Sequence, residues 1–198
     1  MINYNMQHAH TAEFLRSFDS QSQIANAVIL DSGCGDGFAA QQFIRFGAKH
    51  VDAHDPNARL PESTNKITYK KNYVIINDVY DIIWSHHVIE HIENPIDYLQ
   101  TLRLQLHRDG ELWLGCPNTL GSESWSDGHI NNFNIGNLLQ CLQRAEFGIT
   151  IIKWLINPGQ IRIRIPKIGN DRLPTSVALL YNQDKHFKIN KLPHKQGW

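Results

Sequence analysis

Apolar positions along the chain fall into short runs that alternate with stretches of helical period. Val28 to Leu30 is an aliphatic run closed by Asp31 and a glycine-rich stretch, which reads as a buried strand breaking into a tight loop. Phe38 to Phe46 then carries a helical pattern. Ala48 to Pro56 reads as a second strand ending in Asp55, Ile67 to Tyr69 as a short third, and Val79 to Ser85 as a fourth. Pro95 to Leu106 is an amphipathic helix, followed by a turn at Asp109 and Gly110 and a fifth strand, Glu111 to Gly115. Asn134 is a good N-cap for a further helix that turns Leu138, Leu139 and Leu142 inward. Ile149 to Ile156 and Val177 to Tyr181 are the last predicted strands. Upstream, residues 1–26 are polar with one helix around Thr11 to Phe18, which would bury Phe14, Leu15 and Phe18. Strands alternating with helices predict an α/β fold with a mostly parallel sheet and helices on both faces.

Glycine stands at every second position of the first loop, Gly33, Gly35 and Gly37. A strand, a glycine-rich turn and a helix make the first half of a nucleotide-binding unit, in which glycine lets the backbone approach a ligand closely. A dinucleotide fingerprint needs another glycine three places after the second, and Phe38 occupies that place. Asp31 would also sit badly beside a diphosphate, but well beside an ammonium or sulfonium group. A nicotinamide-dependent oxidoreductase is therefore the disfavoured alternative, and a tight turn in some other α/β protein is the plainest one. Asp55 follows the loop at about the 20-residue interval expected of an acid that accepts hydrogen bonds from ribose hydroxyls. Asp52 competes for that role, although strand alternation points it away from the cleft.

The pattern D-x-G-x-G-x-G, here Asp31, Gly33, Gly35 and Gly37, closely resembles motif I of the class I S-adenosylmethionine-dependent methyltransferases. The stretch HHVIEHIENPIDYLQTLRLQLHRDGELWLGCPN and the later GHINNFNIGNLLQCLQRAEF resemble segments of small-molecule and ubiquinone-biosynthesis-type members, with Glu146 where glycine is usual. The resemblance covers roughly Ile29 to Phe147. It implies a Rossmann-like, seven-stranded sheet in the order 3-2-1-4-5-7-6, closed by an antiparallel hairpin of the last two strands. It implies S-adenosyl-L-methionine as cofactor, held by Asp31, Gly33, Gly35, Gly37, Asp55, Asn72 and His86, with His86 against the methionine part. Asn72 would take the adenine amino group, or serve as an ordinary turn residue, because the connection from 72 to 80 is shorter than usual. The N-terminal helix would cover the cofactor or substrate pocket, or simply pack on the sheet edge.

Nineteen basic and nineteen acidic side chains cancel, with a pI near 7.2, so no global field draws in nucleic acid or an anionic membrane. Three cysteines without CxxC spacing argue against a disulfide framework and a zinc knuckle, and a reducing cytoplasm is the expected location. No apolar run is long enough to span a membrane. One domain, 1–198, is expected, with a helical cap (1–26), a possible lid loop (157–175) that holds several prolines and glycines, and a basic tail (185–198). The acceptor is expected to be a small molecule, with no nucleic acid partner.

Methyl transfer from a sulfonium needs alignment above all, and a general base when the acceptor is a hydroxyl. His86, His87 and His129 are the candidate bases, with His87 and His129 taken as the catalytic pair: His86 and His87 follow the fourth strand and His129 lies on a loop expected over the same face. His87, Glu90 and His91 also spell the inverted zincin pattern, but Asn94 and Pro95 end any helix almost at once. Some similar methyltransferases carry E-x-x-E-H and hold a divalent ion there. This chain has His87 for the first acid, and packing of Glu90 and His91 through hydrogen bonds is the favoured reading, so no metal is expected. A non-catalytic methyltransferase-like binding module is the remaining alternative.

Overall fold

The computed structural model describes residues 4–17, 21–72, 75, 77–119, 128–147, 153–156, 160–167, 177–180 and 188–191. Helices α1 (Tyr4–Ser17) and α2 (Gln21–Ile24) lead into β1 (Val28–Ser32), α3 (Phe38–Arg45), β2 (His50–His54), β3 (Ile67–Lys70) and β4 (Tyr80–His86). A 3₁₀ turn (Ile89–His91), α4 (Pro95–Gln105), β5 (Leu106–Pro117) and α5 (Ile135–Arg144) follow. The chain continues through β6 (Lys153–Ile156), β7 (Gln160–Pro166), β8 (Val177–Leu180) and β9 (Lys188–Lys191).

Seven strands form one sheet in the order β3-β2-β1-β4-β5-β7-β6. The five strands β3, β2, β1, β4 and β5 run parallel, and β7 is antiparallel to both of its neighbours. Both faces of the central strands are buried, which is why they read as nearly unbroken apolar runs. Alternation divides them between two cores. Leu30, Ile83, Leu112 and Leu114 pack under α4 and α5, whereas Ile29, Ile82, Trp84 and Trp113 pack with Phe14 of α1 and Phe43 of α3. Caps set the helix starts: Asn94 accepts the Asp97 N–H before Pro95, and Asn134 and Asn137 form a reciprocal capping box. Among the described residues, no helix is long and apolar enough to cross a membrane.

Three sequence expectations are corrected here. The lid assigned to 157–175 contains β7, which pairs along seven positions with β5. The physical reason is the period-two run Ile161, Arg162, Ile163, Arg164, Ile165, whose isoleucines enter the core while its arginines take the other face. Arg164 bonds Glu111 and lies 4.5 Å over the Trp113 ring, and Arg162 meets Glu13 at 2.9 Å. Of the prolines and glycines that suggested a lid, Pro166 is the last residue of this strand and the others lie outside it in the sequence. Secondly, β8 pairs with β9 in a separate two-stranded sheet, so the expected hairpin with the 149–156 strand is made by β7 instead, and part of the basic tail is strand. Thirdly, β5 begins at Leu106 and absorbs the turn expected at Asp109 and Gly110. The remainder of 157–175, outside 160–167, and the tail outside β9 lie outside the described residues, as does Phe18.

Candidate active site

β1 ends where its neighbours β2 and β4 lead to opposite halves of the sheet, and at this switch point a cavity of about 700 Å³ opens. Its floor is the glycine turn. The Gly33 and Cys34 amides both donate to the His54 carbonyl, at 2.8 and 3.0 Å, which fastens the turn to β2. Gly33 has φ +80°, and a Cβ there would lie 2.2 Å from Val88 Cγ2, so only glycine fits. Gly37 starts α3 at φ +83°, where a Cβ would strike the Tyr69 hydroxyl at 2.4 Å. Gly37 therefore shapes the loop without lining the cavity.

Asp31, at the end of β1, is 1 % exposed and faces this space with neither carboxylate oxygen hydrogen-bonded. Burial raises its pKa from the ordinary 3.8 to about 7; the Ala40 amide pulls the other way without reaching hydrogen-bond geometry, and the charges of Asp55 and Asp36 add to the rise. The folded protein thus holds this proton more tightly than the unfolded chain. It follows that the cofactor-free protein loses stability as pH rises from about 4 to about 7, and levels off above that. Asp31→Asn is expected to remove most of this slope, on the order of a few kcal/mol in total. Chemical denaturation at several pH values checks it, and an unchanged slope in the variant would place the titration elsewhere.

Asp55 follows β2 and acts as a clamp. Its Oδ2 accepts the Gly35 N–H at 3.0 Å, and its Oδ1 accepts the Asn57 and Ala58 N–H groups at 2.9 Å. Asp52 faces away, as alternation requires, and bonds the Tyr80 hydroxyl and Lys70. Asn72 is corrected: it is exposed and lines a small depression with Asp52, Lys70 and Tyr80, not the main cavity. The wall it was expected to form is built by residues 56–59, immediately after β2.

The opposite wall comes from β4. His86 is buried with its ring seated over Gly115, where a Cβ would lie 2.3 Å from Cδ2. Burial first, then the neighbouring His87, Arg162 and His10, push its pKa well below the ordinary value, so the imidazole is neutral. His87 adopts φ +58°, a left-handed conformation rare outside glycine and frequent at functional sites. Its amide donates to the Gly115 carbonyl at 2.9 Å, and its Nδ1 lies 3.1 Å from Glu90 Oε1. Both histidines line the cavity.

His129 does not. It packs behind the lining against His91, which does line the cavity, with ring centroids 4.8 Å apart. Hydrogen bonds organise this turn: His91 Nδ1 donates to the Gly128 carbonyl at 2.8 Å, and the Glu90 carbonyl accepts the Ile130 and Asn131 amides. Ligating atoms of Glu90, His91 and His129 lie within 4.8 Å of one another, a spacing that leaves His87 out of the set. The zincin pattern is not realised either, because His87 is the residue after β4 and Ile89–His91 is a single 3₁₀ turn.

Sequence reasoning missed three contributors. His8 of α1 bonds Asp36 at 2.8 Å and stacks on Phe38 at 4.0 Å, which lays α1 across the cavity. Thr11 places its hydroxyl 3.3 Å from His86 Nδ1. Tyr98 of α4 bonds both Ser32 and Ser85 at 2.9 Å, pinning the ends of β1 and β4 on either side of the switch point. A polar run such as Gln7 to Thr11 gives no apolar signal of its position, and the tyrosine bridge exists only once the sheet has formed.

A mostly parallel sheet in this order, a glycine turn at its switch point, an acid closing β1 and another following β2 define a class I S-adenosylmethionine-dependent methyltransferase. The chain belongs to the methyltransferase domain family, whose pattern it matches over residues 3–150. Among curated proteins it is similar to the tRNA U34 carboxymethyltransferase of Shewanella piezotolerans, 30 % identical over 149 residues covering 64 % of this chain and 45 % of that protein. The chain spans about half the length of the curated relatives it matches. Its fold is similar to an S-adenosylmethionine-dependent methyltransferase of Listeria monocytogenes, with TM-score 0.64 and 15 % identity over 80 % of this chain and 99 % of the other. It is likewise similar to the 1,6-didemethyltoxoflavin-N1-methyltransferase of Burkholderia thailandensis, with TM-score 0.60 and 16 % identity over 85 % and 92 % of the two chains.

These relatives overturn one expectation. A small-molecule acceptor with no nucleic acid partner does not agree with curated relatives named for a tRNA nucleotide. The physical error lay in the charge argument: a net charge of zero averages over the whole surface and carries no information about the potential at one cavity mouth.

Proposed function

We propose that the domain transfers the one-carbon substituent of a sulfonium cofactor to a hydroxyl or similar nucleophile on a tRNA base. The observation that carries this reading is the similarity to tRNA U34 carboxymethyltransferases over 149 residues, in a chain whose methyltransferase-family match, 3–150, contains every residue that lines the cavity. The cofactor's charged amino acid end would lie beside Asp31, whose buried oxygens have no other partner. Gly33 and Gly35 would bring backbone against it, Asp55 would accept the ribose hydroxyls, and neutral His86 would flank the methionine chain. His87 would face the acceptor as the base.

Alignment in a closed site can supply about 7–11 kcal/mol of such a reaction, and a general base typically a further 10²- to 10⁴-fold. A cavity of about 700 Å³ lies within the usual range for small-molecule sites and is large enough for a cofactor. The described cysteines, Cys34, Cys116 and Cys141, are all free thiols, which supports a cytoplasmic location.

The test is incubation with S-adenosylmethionine and unfractionated tRNA, followed by nuclease digestion and mass spectrometry of the nucleosides. The mass gain of one methyl group on a uridine-derived nucleoside is expected. Tight cofactor binding with no modified nucleoside, and transfer to a small-molecule hydroxyl instead, would overturn the tRNA acceptor.

A further inference from the structure

Resting on the reading of His87 as base, we infer that the buried Glu90 carboxylate is a positioning residue that fixes the His87 tautomer, leaving Nε2 as the proton acceptor at the cavity. The argument begins with the backbone. His87 holds a left-handed φ of +58° that costs a non-glycine residue of order 1–3 kcal/mol, and the Gly115 carbonyl keeps it there. That conformation turns the ring from the end of β4 onto the 3₁₀ turn. Glu90, 1 % exposed, waits on that turn with Oε1 at 3.1 Å from Nδ1. A carboxylate can only accept, so Nδ1 carries the hydrogen and Nε2 keeps its lone pair.

Among the described residues Nε2 is buried with no hydrogen-bond partner, on a side chain that lines the cavity. Two further observations support a built site. The Glu90 carbonyl is held by two amides of the 130–131 segment, so the carboxylate cannot swing away with its turn. Among the described residues, the groups facing the His87 ring include His86 from β4 and His10 from α1, with centroids 4.5 and 5.6 Å away, and the Glu90 carboxylate is the anion paired with it. When the ring takes a proton, the adjacent carboxylate compensates the new charge. In the reaction the acceptor O–H gives its proton to Nε2 and the oxygen forms the new bond to carbon. The carbon–sulfur bond breaks with its electron pair passing to sulfur, which leaves a neutral thioether and an imidazolium paired with Glu90.

The full chain labelled with ¹⁵N-histidine tests this by NMR, with the His87 signals assigned through their loss in His87→Gln. The wild-type protein is expected to show His87 as the Nδ1–H tautomer, unchanged by EDTA. Glu90→Ala is expected to revert it to the Nε2–H form that dominates in free imidazole. Glu90→Gln, which keeps an acceptor oxygen and the packing, is expected to retain the Nδ1–H tautomer with turnover on tRNA reduced roughly tenfold or more at unchanged KM. An Nε2–H tautomer in the wild type, or a Glu90→Gln enzyme with full turnover, would overturn the inference. So would a shift of the His87, His91 and His129 signals on chelation, which would mean that Glu90 is engaged by a cation. The tautomer is read without any acceptor, so this outcome and that of the tRNA assay are independent.

Discussion

Replacing Asp55 with alanine is expected to weaken S-adenosylhomocysteine binding by about 100-fold, near 2.7 kcal/mol, and to lower thermal stability as well. The carboxylate accepts three backbone N–H bonds, from Gly35 in the glycine turn and from Asn57 and Ala58 in the turn after β2. Hydrogen bonds to a charged group contribute about 1.5–3 kcal/mol each, and their loss frees two turns that form one wall of the cavity. Oδ2, which accepts a single backbone bond, still has lone-pair capacity for a ribose hydroxyl, so the same side chain shapes the site and would meet the ligand. Asp55→Asn retains one acceptor oxygen and should fall between the two. The control is Asp52→Ala, three residues earlier and within β2, whose partners are Tyr80 and Lys70. Calorimetry should show its affinity unchanged, and equal losses from both substitutions would mean that general destabilisation accounts for the effect.

Gly33→Ala should cost about 2–4 kcal/mol of folding stability, or roughly 5–15 °C in Tm for a domain of this size. Two causes add. A Cβ at φ +80° meets the left-handed penalty whatever its surroundings, and the built atom falls 2.2 Å from Val88 Cγ2. Val88 leads into the 3₁₀ turn, so relieving the clash would move His87 and Glu90 as well. The double variant Gly33→Ala with Val88→Ala separates the causes, because shortening Val88 removes the steric part and leaves the conformational part. Partial recovery of Tm is expected, and no recovery at all would mean that the contact with Val88 is unimportant.

The parts of the site that sequence could reach are those whose signal is local. Asp31 and the glycines sit in one run, and Asp55 lies one helix and one turn further on, so strand, loop and acid were readable together. His86 and His87 were readable as the residues that end an apolar strand. Asn72 was misplaced because the edge strand β3 ends beyond the wall that residues 56–59 already form. β7 was hidden because its alternating isoleucines and arginines lie among prolines and glycines, and its arginines are tolerated inside only through Glu111, Trp113 and Glu13. His8, Thr11 and Tyr98 depend on contacts between elements far apart in the chain, for which the residue pattern holds no record. His129 illustrates the opposite error: its position beyond β5 was right, but the loop delivers it to His91 and not to the cavity. The acceptor class lies further still from composition, since it depends on what the cavity mouth meets.

Titration of the purified protein with S-adenosylhomocysteine at neutral pH, followed calorimetrically, tests the central claim most directly. The account predicts one-to-one binding at about micromolar affinity, weakened in Asp55→Ala and unaffected in Asp52→Ala. Absence of binding heat together with absence of any thermal shift by the same ligand would contradict the assignment of the cavity as the cofactor site.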